Sequence, residues 1–231
     1  MKTIGLIGGI SWQSSAVYYR LINELVHARL GGHHNARSLM LTVDLDEVFA
    51  IQQGADWSEL AAMLQACGRH LELAGADCVL ICSNTCNKFA PEVAQAISIP
   101  VLHIADVTGA AIDRAGFRKV ALLGTKYVME QSFYCDRLTR GRDVEILVPE
   151  AASEREQLHR IIVEELVRGI LREESRRLYQ AAIDALQARG AEAVILGCTE
   201  IPLLIQQEHS PMPTLDTTAL HAAAAVDWAL A

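Results

Sequence analysis

Two stretches, GADCVLICSNT (Gly75 to Thr85) and GAEAVILGCTE (Gly190 to Glu200), decide the reading of this chain. In each, a glycine opens an apolar run that ends in a cysteine, Cys82 or Cys198, followed by small polar residues. The pair belongs to a longer repeat. TIGLIGG (Thr3 to Gly9) resembles KVALLGT (Lys119 to Thr125), and IPVLHIAD (Ile99 to Asp106) resembles MPTLDTTA (Met212 to Ala219). Gly8 precedes Cys82 by 74 residues, and Gly124 precedes Cys198 by the same 74. Three ordered matches imply two like halves, with the two cysteines at equivalent places. Two thiols on either side of one carbon suit chemistry that needs a base and an acid on opposite faces.

Around these anchors, short β-branched runs alternate with helical periodicities. The strand candidates are Thr3–Ile7, Ser38–Val43, Ala76–Ile81, Val101–His103, Lys119–Leu123, Val144–Leu147, Ala193–Leu196 and Thr214–Leu215. Several are apolar throughout, as parallel strands covered on both faces should be. Ser14–Leu30, Trp57–Ala74, Glu154–Arg168 and Glu173–Arg189 read as helices, each stopped by a following glycine. The alternation predicts an α/β protein of two similar, tightly apposed lobes, each a mainly parallel sheet flanked by helices. The expected boundaries are 1–103 for the first lobe, rejoined by the C-terminal segment 213–231, and 104–212 for the second. The Arg- and Glu-rich stretch Glu154–Arg177 reads as solvated helix faces.

Composition narrows the function. With 231 residues, the chain is long enough for a large core. Its 20 basic and 28 acidic residues give a net charge of −8, which argues against nucleic-acid or anionic-membrane binding. No apolar run approaches the roughly 18 residues of a membrane span. The N-terminal MKTIGLIGG is broken by glycines and reads as a first strand rather than a leader. Six cysteines without secretory features point to reduced thiols in a cytosol.

In open α/β sheets, ligands bind beyond the carboxyl ends of the strands. There lie Gly8-Gly9-Ile10-Ser11, Cys82-Ser83-Asn84-Thr85, Gly124-Thr125 and Cys198-Thr199-Glu200. Hydroxyl, amide and backbone N–H donors near helix starts suit a carboxylate. The same donors are expected to lower the pKa of a neighbouring thiol from about 8.5. A cysteine at the end of an apolar strand is more often a small buried hydrophobe. That reading fits Cys67, Cys78, Cys135 and Cys86, whereas position in the repeat sets Cys82 and Cys198 apart. His103 and His221 read as core histidines. The spacing matches no zinc motif, and the glycines match neither G-x-G-x-x-G nor a Walker loop, so neither metal nor nucleotide is expected.

VLICSNTCNK (Val79 to Lys88) and VILGCTEIPLL (Val194 to Leu204) resemble the two cysteine signatures of the cofactor-independent aspartate/glutamate racemases. IGLIGGISWQSS (Ile4 to Ser15), with Tyr18-Tyr19-Arg20, is similar too, as is Ile104 to Gln131 with ALLGTKYVMEQ at its end. The resemblance implies a pseudo-twofold, two-lobed enzyme with its site between the lobes, a small amino acid as substrate, no cofactor and a homodimer. It implies Cys82 and Cys198 as the acid/base pair, and Ile10, Gln52, Ser83, Asn84, Thr85, Thr125 and Thr199 as substrate contacts. Two-base inversion would place each sulfur about 3–3.5 Å from the α-carbon, hence the two about 7 Å apart. Cys86-Asn87 depart from the residues common at those positions, and no lysine follows Lys126 where some relatives place one. Arg155 or Arg160 would have to stand in, and a poor clamp for a distal carboxylate favours neutral or varied substrates. Hydantoin racemisation, cis–trans isomerisation of a diacid, non-catalytic amino-acid or dicarboxylate binding, and redox sensing through Cys82 and Cys86 are the competing readings.

Overall fold

The computed structural model describes residues 1–231. The chain divides into two compact units, Met1–Ile104 with His221–Ala231, and Ala105–Leu220. The first runs β1 (Ile4–Gly8), α1 (Trp12–Leu30), β2 (Ser38–Thr42), α2 (Leu45–Gln53), α3 (Ser58–Leu73) and β3 (Cys78–Ile81). A 3-10 turn (Thr85–Phe89), α4 (Ala90–Ala96) and β4 (Val101–Leu102) follow, and α5 (Ile104–Ala115) leads into the second unit. There come β5 (Lys119–Gly124), α6 (Lys126–Glu130), α7 (Ser132–Thr139), β6 (Glu145–Leu147), α8 (Ala152–Glu164) and α9 (Glu173–Ala188). Then come β7 (Ala193–Gly197), α10 (Ile201–Leu204), β8 (Thr214–Asp216) and α11 (Thr217–Leu230). The sheets are ordered β2-β1-β3-β4 and β6-β5-β7-β8, with every pairing parallel. All eight strands expected from the sequence form, and no helix is long and apolar enough to cross a membrane.

The repeat is legible in packing detail. On α3 the buried stripe is Leu60, Leu64, Cys67, Gly68 and Leu71; on α9 it is Ser175, Tyr179, Ala182, Ile183 and Leu186. Both stripes follow i, i+4, i+7, i+8, i+11, the geometry of a helix laid along a sheet. Each helix is followed by a glycine at φ 95°, Gly75 or Gly190. The next strand is then pinned by a carboxylate. Asp77 accepts from the N–H of Thr3 at 2.6 Å, and Glu192 accepts from those of Arg118 at 2.6 Å and Lys119 at 2.9 Å.

One sequence expectation needs correcting. Ile4 pairs with Cys78, but its counterpart Val120 pairs with Ala193. The register therefore continues from Gly8 to Cys82, whereas Gly124 lies opposite Gly197 rather than Cys198. Strand β7 carries one more residue before its thiol, and because side chains alternate along a strand, one residue changes the face. Cys82 thus packs with Cys78 and Leu80 against Tyr18 of α1 and Ala222 of α11, while Cys198 packs with Val194 and Leu196 against residues of α8 and α9. The thiols are matched in sequence spacing and not in backbone register.

Two boundaries also move. Thr214–Asp216 pairs with β7 as the edge of the second sheet, so the chain returns to the first unit at His221 rather than at residue 213. The expected helix Glu154–Arg168 closes at Glu164, and Leu166–Arg168 tighten into a 3-10 turn.

Helix α11 is tied to the first unit through a buried relay. Tyr18 Oη donates to His221 Nδ1 at 2.9 Å, and His221 Nε2 donates to the Leu102 carbonyl at 2.8 Å. Burial pushes the His221 imidazole down to about 4, so the folded protein holds it neutral. The unfolded chain binds this proton near pH 6.5 and the folded chain resists it until about pH 4, so stability falls as pH drops through that window. The loss at this one site should approach about 3 kcal/mol. Urea unfolding between pH 7.5 and 4.5 should show this slope, and His221→Gln should flatten it.

Candidate active site

The strand ends gather the residues singled out above into two sets. In the first unit, Gly9-Ile10-Ser11 follow β1, and Cys82-Ser83-Asn84-Thr85 follow its neighbour β3, so both turns emerge side by side. Gln52 lies in the last turn of α2, which follows β2 on the other side of β1. In the second unit, Thr125 follows β5, and Cys198-Thr199 follow its neighbour β7. Thr125 caps α6, its Oγ1 accepting from the N–H of Val128 at 3.3 Å.

The first turn is fixed by close packing. Gly9 has φ 88°, and a Cβ there would run into the Val43 backbone. Its N–H donates to Ser15 Oγ at 2.8 Å, while the hydroxyls of Ser14 and Ser15 donate to the Ser11 carbonyl at 3.0 and 2.7 Å. Ile10 and Ser11 are buried against this scaffold.

The turn after β3 is built around Asn87, whose role sequence reasoning missed. Its Nδ2 donates to the carbonyls of Ile81 at 2.9 Å and Ser83 at 2.7 Å, its Oδ1 accepts from the N–H of Ile104 at 3.3 Å, and its carbonyl accepts from His103 Nε2 at 3.1 Å. Asn87 is thus a strut that holds Ser83 to Thr85 in place. Cys86 sits fully buried in the apolar cluster of α3 and α4, on the face away from Cys82, and burial pushes its thiol up to about 12. The Cys82–Cys86 redox pair expected by one competing reading is therefore split across the sheet.

The thiols themselves overturn an expectation. Helix-start donors were to favour thiolate, yet both sulfurs are held protonated. Burial raises Cys82 well above the ordinary thiol range, and it is wholly shielded from solvent. Cys198, 6% exposed, is raised by burial first and then by the adjacent Glu200 carboxylate. Cys198 Sγ donates to Glu200 Oε2 at 2.9 Å, and Thr199 Oγ1 donates to the same oxygen at 3.0 Å. Desolvation outweighs the donors because a buried anion loses far more hydration than one or two hydrogen bonds return. Glu200 is the second residue that sequence reasoning left without a role. An acidic side chain two residues past a strand-end cysteine, between Thr199 and the apolar Ile201, was the available signal.

Of the two candidate arginines, Arg155 is already engaged. Arg155 donates to Glu130 at 2.8 Å and to the carbonyls of Pro149 and Glu150, both at 2.7 Å. Arg160 lines a groove between α8 and α9 with Glu164, Arg172 and Glu174. Lys126 is paired with Glu156 at 3.1 Å.

Comparison with known proteins gives the family. The Asp/Glu/hydantoin racemase family model matches residues 7–225. The chain belongs to the Asp/Glu/hydantoin racemase family. Within that family of isomerases, it is 44% identical to a crystal structure of a candidate Asp/Glu racemase from Yersinia pestis, with a TM-score of 0.91 and 100% of both chains covered. An aspartate racemase homologue from Pyrococcus horikoshii OT3 is 31% identical, with a TM-score of 0.84, again over 100% of both chains. The broad specificity amino-acid racemase RacX of Bacillus subtilis (strain 168) is 21% identical, over 99% of this chain and 98% of RacX. The two-unit, all-parallel architecture is the fold of these racemase structures.

Removing the strut tests how the first cysteine turn is held. Asn87→Ala removes three hydrogen bonds, while the Ile81 carbonyl keeps the Ser83 N–H at 2.8 Å and the Ser83 carbonyl keeps the residue-87 N–H at 3.2 Å. With a lost hydrogen bond worth about 1 kcal/mol net, a loss of about 3 kcal/mol in urea unfolding is expected.

Proposed function

We propose that this protein is a cofactor-independent amino-acid racemase in which Cys82 and Cys198 act on one α-carbon from opposite faces. The observation that carries the reading is the pair of buried thiols, each just beyond the third strand of its unit in chain order and beside hydroxyl or amide groups, in a chain that matches racemase relatives over its whole length. One cysteine, as thiolate, removes the α-proton, and the other, as thiol, protonates the opposite face. In the reverse direction the roles exchange. Ser83, Asn84, Thr85 and Thr199 hold the substrate carboxylate, with Ile10, Gln52 and Thr125 completing its surroundings.

The protonated state of both thiols sets the energetic problem. One of them must ionise in a site that disfavours charge. A zwitterionic substrate supplies an ammonium, and an opposite charge within a few ångströms favours the thiolate. Donors on the α-carboxylate spread the carbanion charge, and a water-poor site strengthens them. No Schiff-base lysine enters the scheme. The engagement of Arg155 with Glu130 and two carbonyls, together with the similarity to a broad specificity racemase, supports neutral or varied substrates over aspartate and glutamate alone. The same reading carries a cytosolic setting and a homodimer.

Proton NMR in heavy water decides it. Incubation with aspartate, glutamate and a set of neutral amino acids, with no cofactor added, should erase the α-proton signal of at least one. Cys82→Ser and Cys198→Ser should each cut racemisation by about a thousandfold or more while leaving the circular dichroism unchanged, in line with loss of an acid/base group. Full activity in either folded variant would overturn the two-thiol scheme. Because both thiols are raised, kcat/KM should climb with pH to above about 8.5, the ordinary thiol value.

A further inference from the structure

The two strand-end thiols have different electrostatic surroundings. At Cys82, burial is what raises the thiol. At Cys198, the sulfur donates to a carboxylate oxygen at 2.9 Å that also receives the Thr199 hydroxyl at 3.0 Å. Thr199 and Glu200 are each 3% exposed, so water screens this contact poorly. Titratable groups around it include Glu200 itself, Tyr179 of α9, and Glu165 at the end of α8. Tyr179 donates its hydroxyl to the Leu158 carbonyl at 3.1 Å, and burial first, then the nearby acidic groups, keeps it protonated. Glu165 accepts from Ser175 at 2.6 Å and lies 3.7 Å from Arg172. An ionised sulfur at Cys198 would face an anion at hydrogen-bond distance, with no proton left between them.

Resting on the racemase reading, we infer that Glu200 is a positioning residue that holds Cys198 as the protonated thiol, the proton donor of the reacting pair, and leaves Cys82 as the thiol that ionises first. The steps balance. The Cys82 thiolate forms an S–H bond as the Cα–H bond breaks, and the electron pair stays on carbon. The Cys198 S–H bond then breaks and its proton joins the opposite face of that carbon, leaving Cys198 as thiolate. One proton lost from Cys82 to solvent and one gained by Cys198 restore the reacting thiolate–thiol pair, which Glu200 favours. The one-residue register difference makes this asymmetry possible, because it puts Cys198 on the α8/α9 face of its sheet.

The test reads each thiol separately and needs no substrate. Iodoacetamide alkylation of the intact protein is followed against pH, with the Cys82 and Cys198 peptides quantified by mass spectrometry. Midpoints are compared rather than rates, since accessibility changes the rate and not the midpoint. In the wild type, Cys198 should titrate above Cys82. In Glu200→Gln, the Cys198 midpoint should fall by at least one pH unit, about tenfold more thiolate at neutral pH, with Cys82 unmoved. Glu200→Asp, which keeps a carboxylate, should preserve the wild-type order. In the active enzyme, Glu200→Gln should also bring the alkaline limb of kcat/KM to lower pH, a shift that a merely structural role would not produce. Equal midpoints in the wild type, or an unmoved Cys198 midpoint in folded Glu200→Gln, would overturn the inference. If Glu200→Gln does not fold, the wild-type order decides alone. A correct order of midpoints with no α-proton exchange on any amino acid would instead overturn the racemase reading and leave the hold of Glu200 on Cys198 standing.

Discussion

Parallel pairing of β1 with β3 and of β5 with β7 is the constraint on which the rest of this structure depends. A parallel pair cannot be closed by a hairpin, so each return must cross a sheet face through helices. Those helices cover both faces and force the central strands to be apolar throughout, as IGLIG and AVILG are. Polar chemistry is thereby expelled from the strands to their ends. At the carboxyl end of each pair, two adjacent turns emerge together, and in each unit one of them opens on a cysteine. The position of the thiols therefore follows from the topology rather than from any local preference of their own segments.

The same constraint explains what could be read from the sequence. The central strands β1, β3, β5 and β7 were legible because burial on both faces leaves unbroken apolar runs, and the partly exposed edge strands through their short apolar or β-branched runs. The long helices α1, α3 and α9 were legible through their glycine stops and periodic stripes. Helices α6, α7 and α10, of 5, 8 and 4 residues, carry too few turns to show a period. Cys82, Cys198 and the residues beside them were visible as repeat anchors. The off-by-one register was present in a spacing the repeat anchors passed over: Gly75 precedes Cys82 by seven residues, and Gly190 precedes Cys198 by eight. The pairings of Ile4 with Cys78 and of Val120 with Ala193 give that extra residue its structural meaning.

Two further misreadings share a cause. Asn87 looked like a departure near the substrate, but its amide is spent on backbone groups seventeen or fewer positions away in the chain. The thiols looked activated because donors flank them in sequence, yet the donors flank a site from which water is removed. In both cases residue type was legible and direction was not. Whether a donor faces a ligand, a backbone carbonyl or a thiol is decided by packing.

A two-base enzyme must hold two chemically identical acids in different protonation states at one time. Two equivalent sites would share the one missing proton equally, and neither thiol would be the preferred acid. The structure departs from perfection at the point that matters, where one extra residue in β7 turns Cys198 to a different face and seats it on Glu200. Burial raises Cys82, whereas both burial and the Glu200 carboxylate raise Cys198, so on the proposed scheme Cys82 is the thiol that gives up its proton first. On this view the repeat supplies two thiols and the register break supplies the difference between them, which is what lets one give a proton while the other takes one.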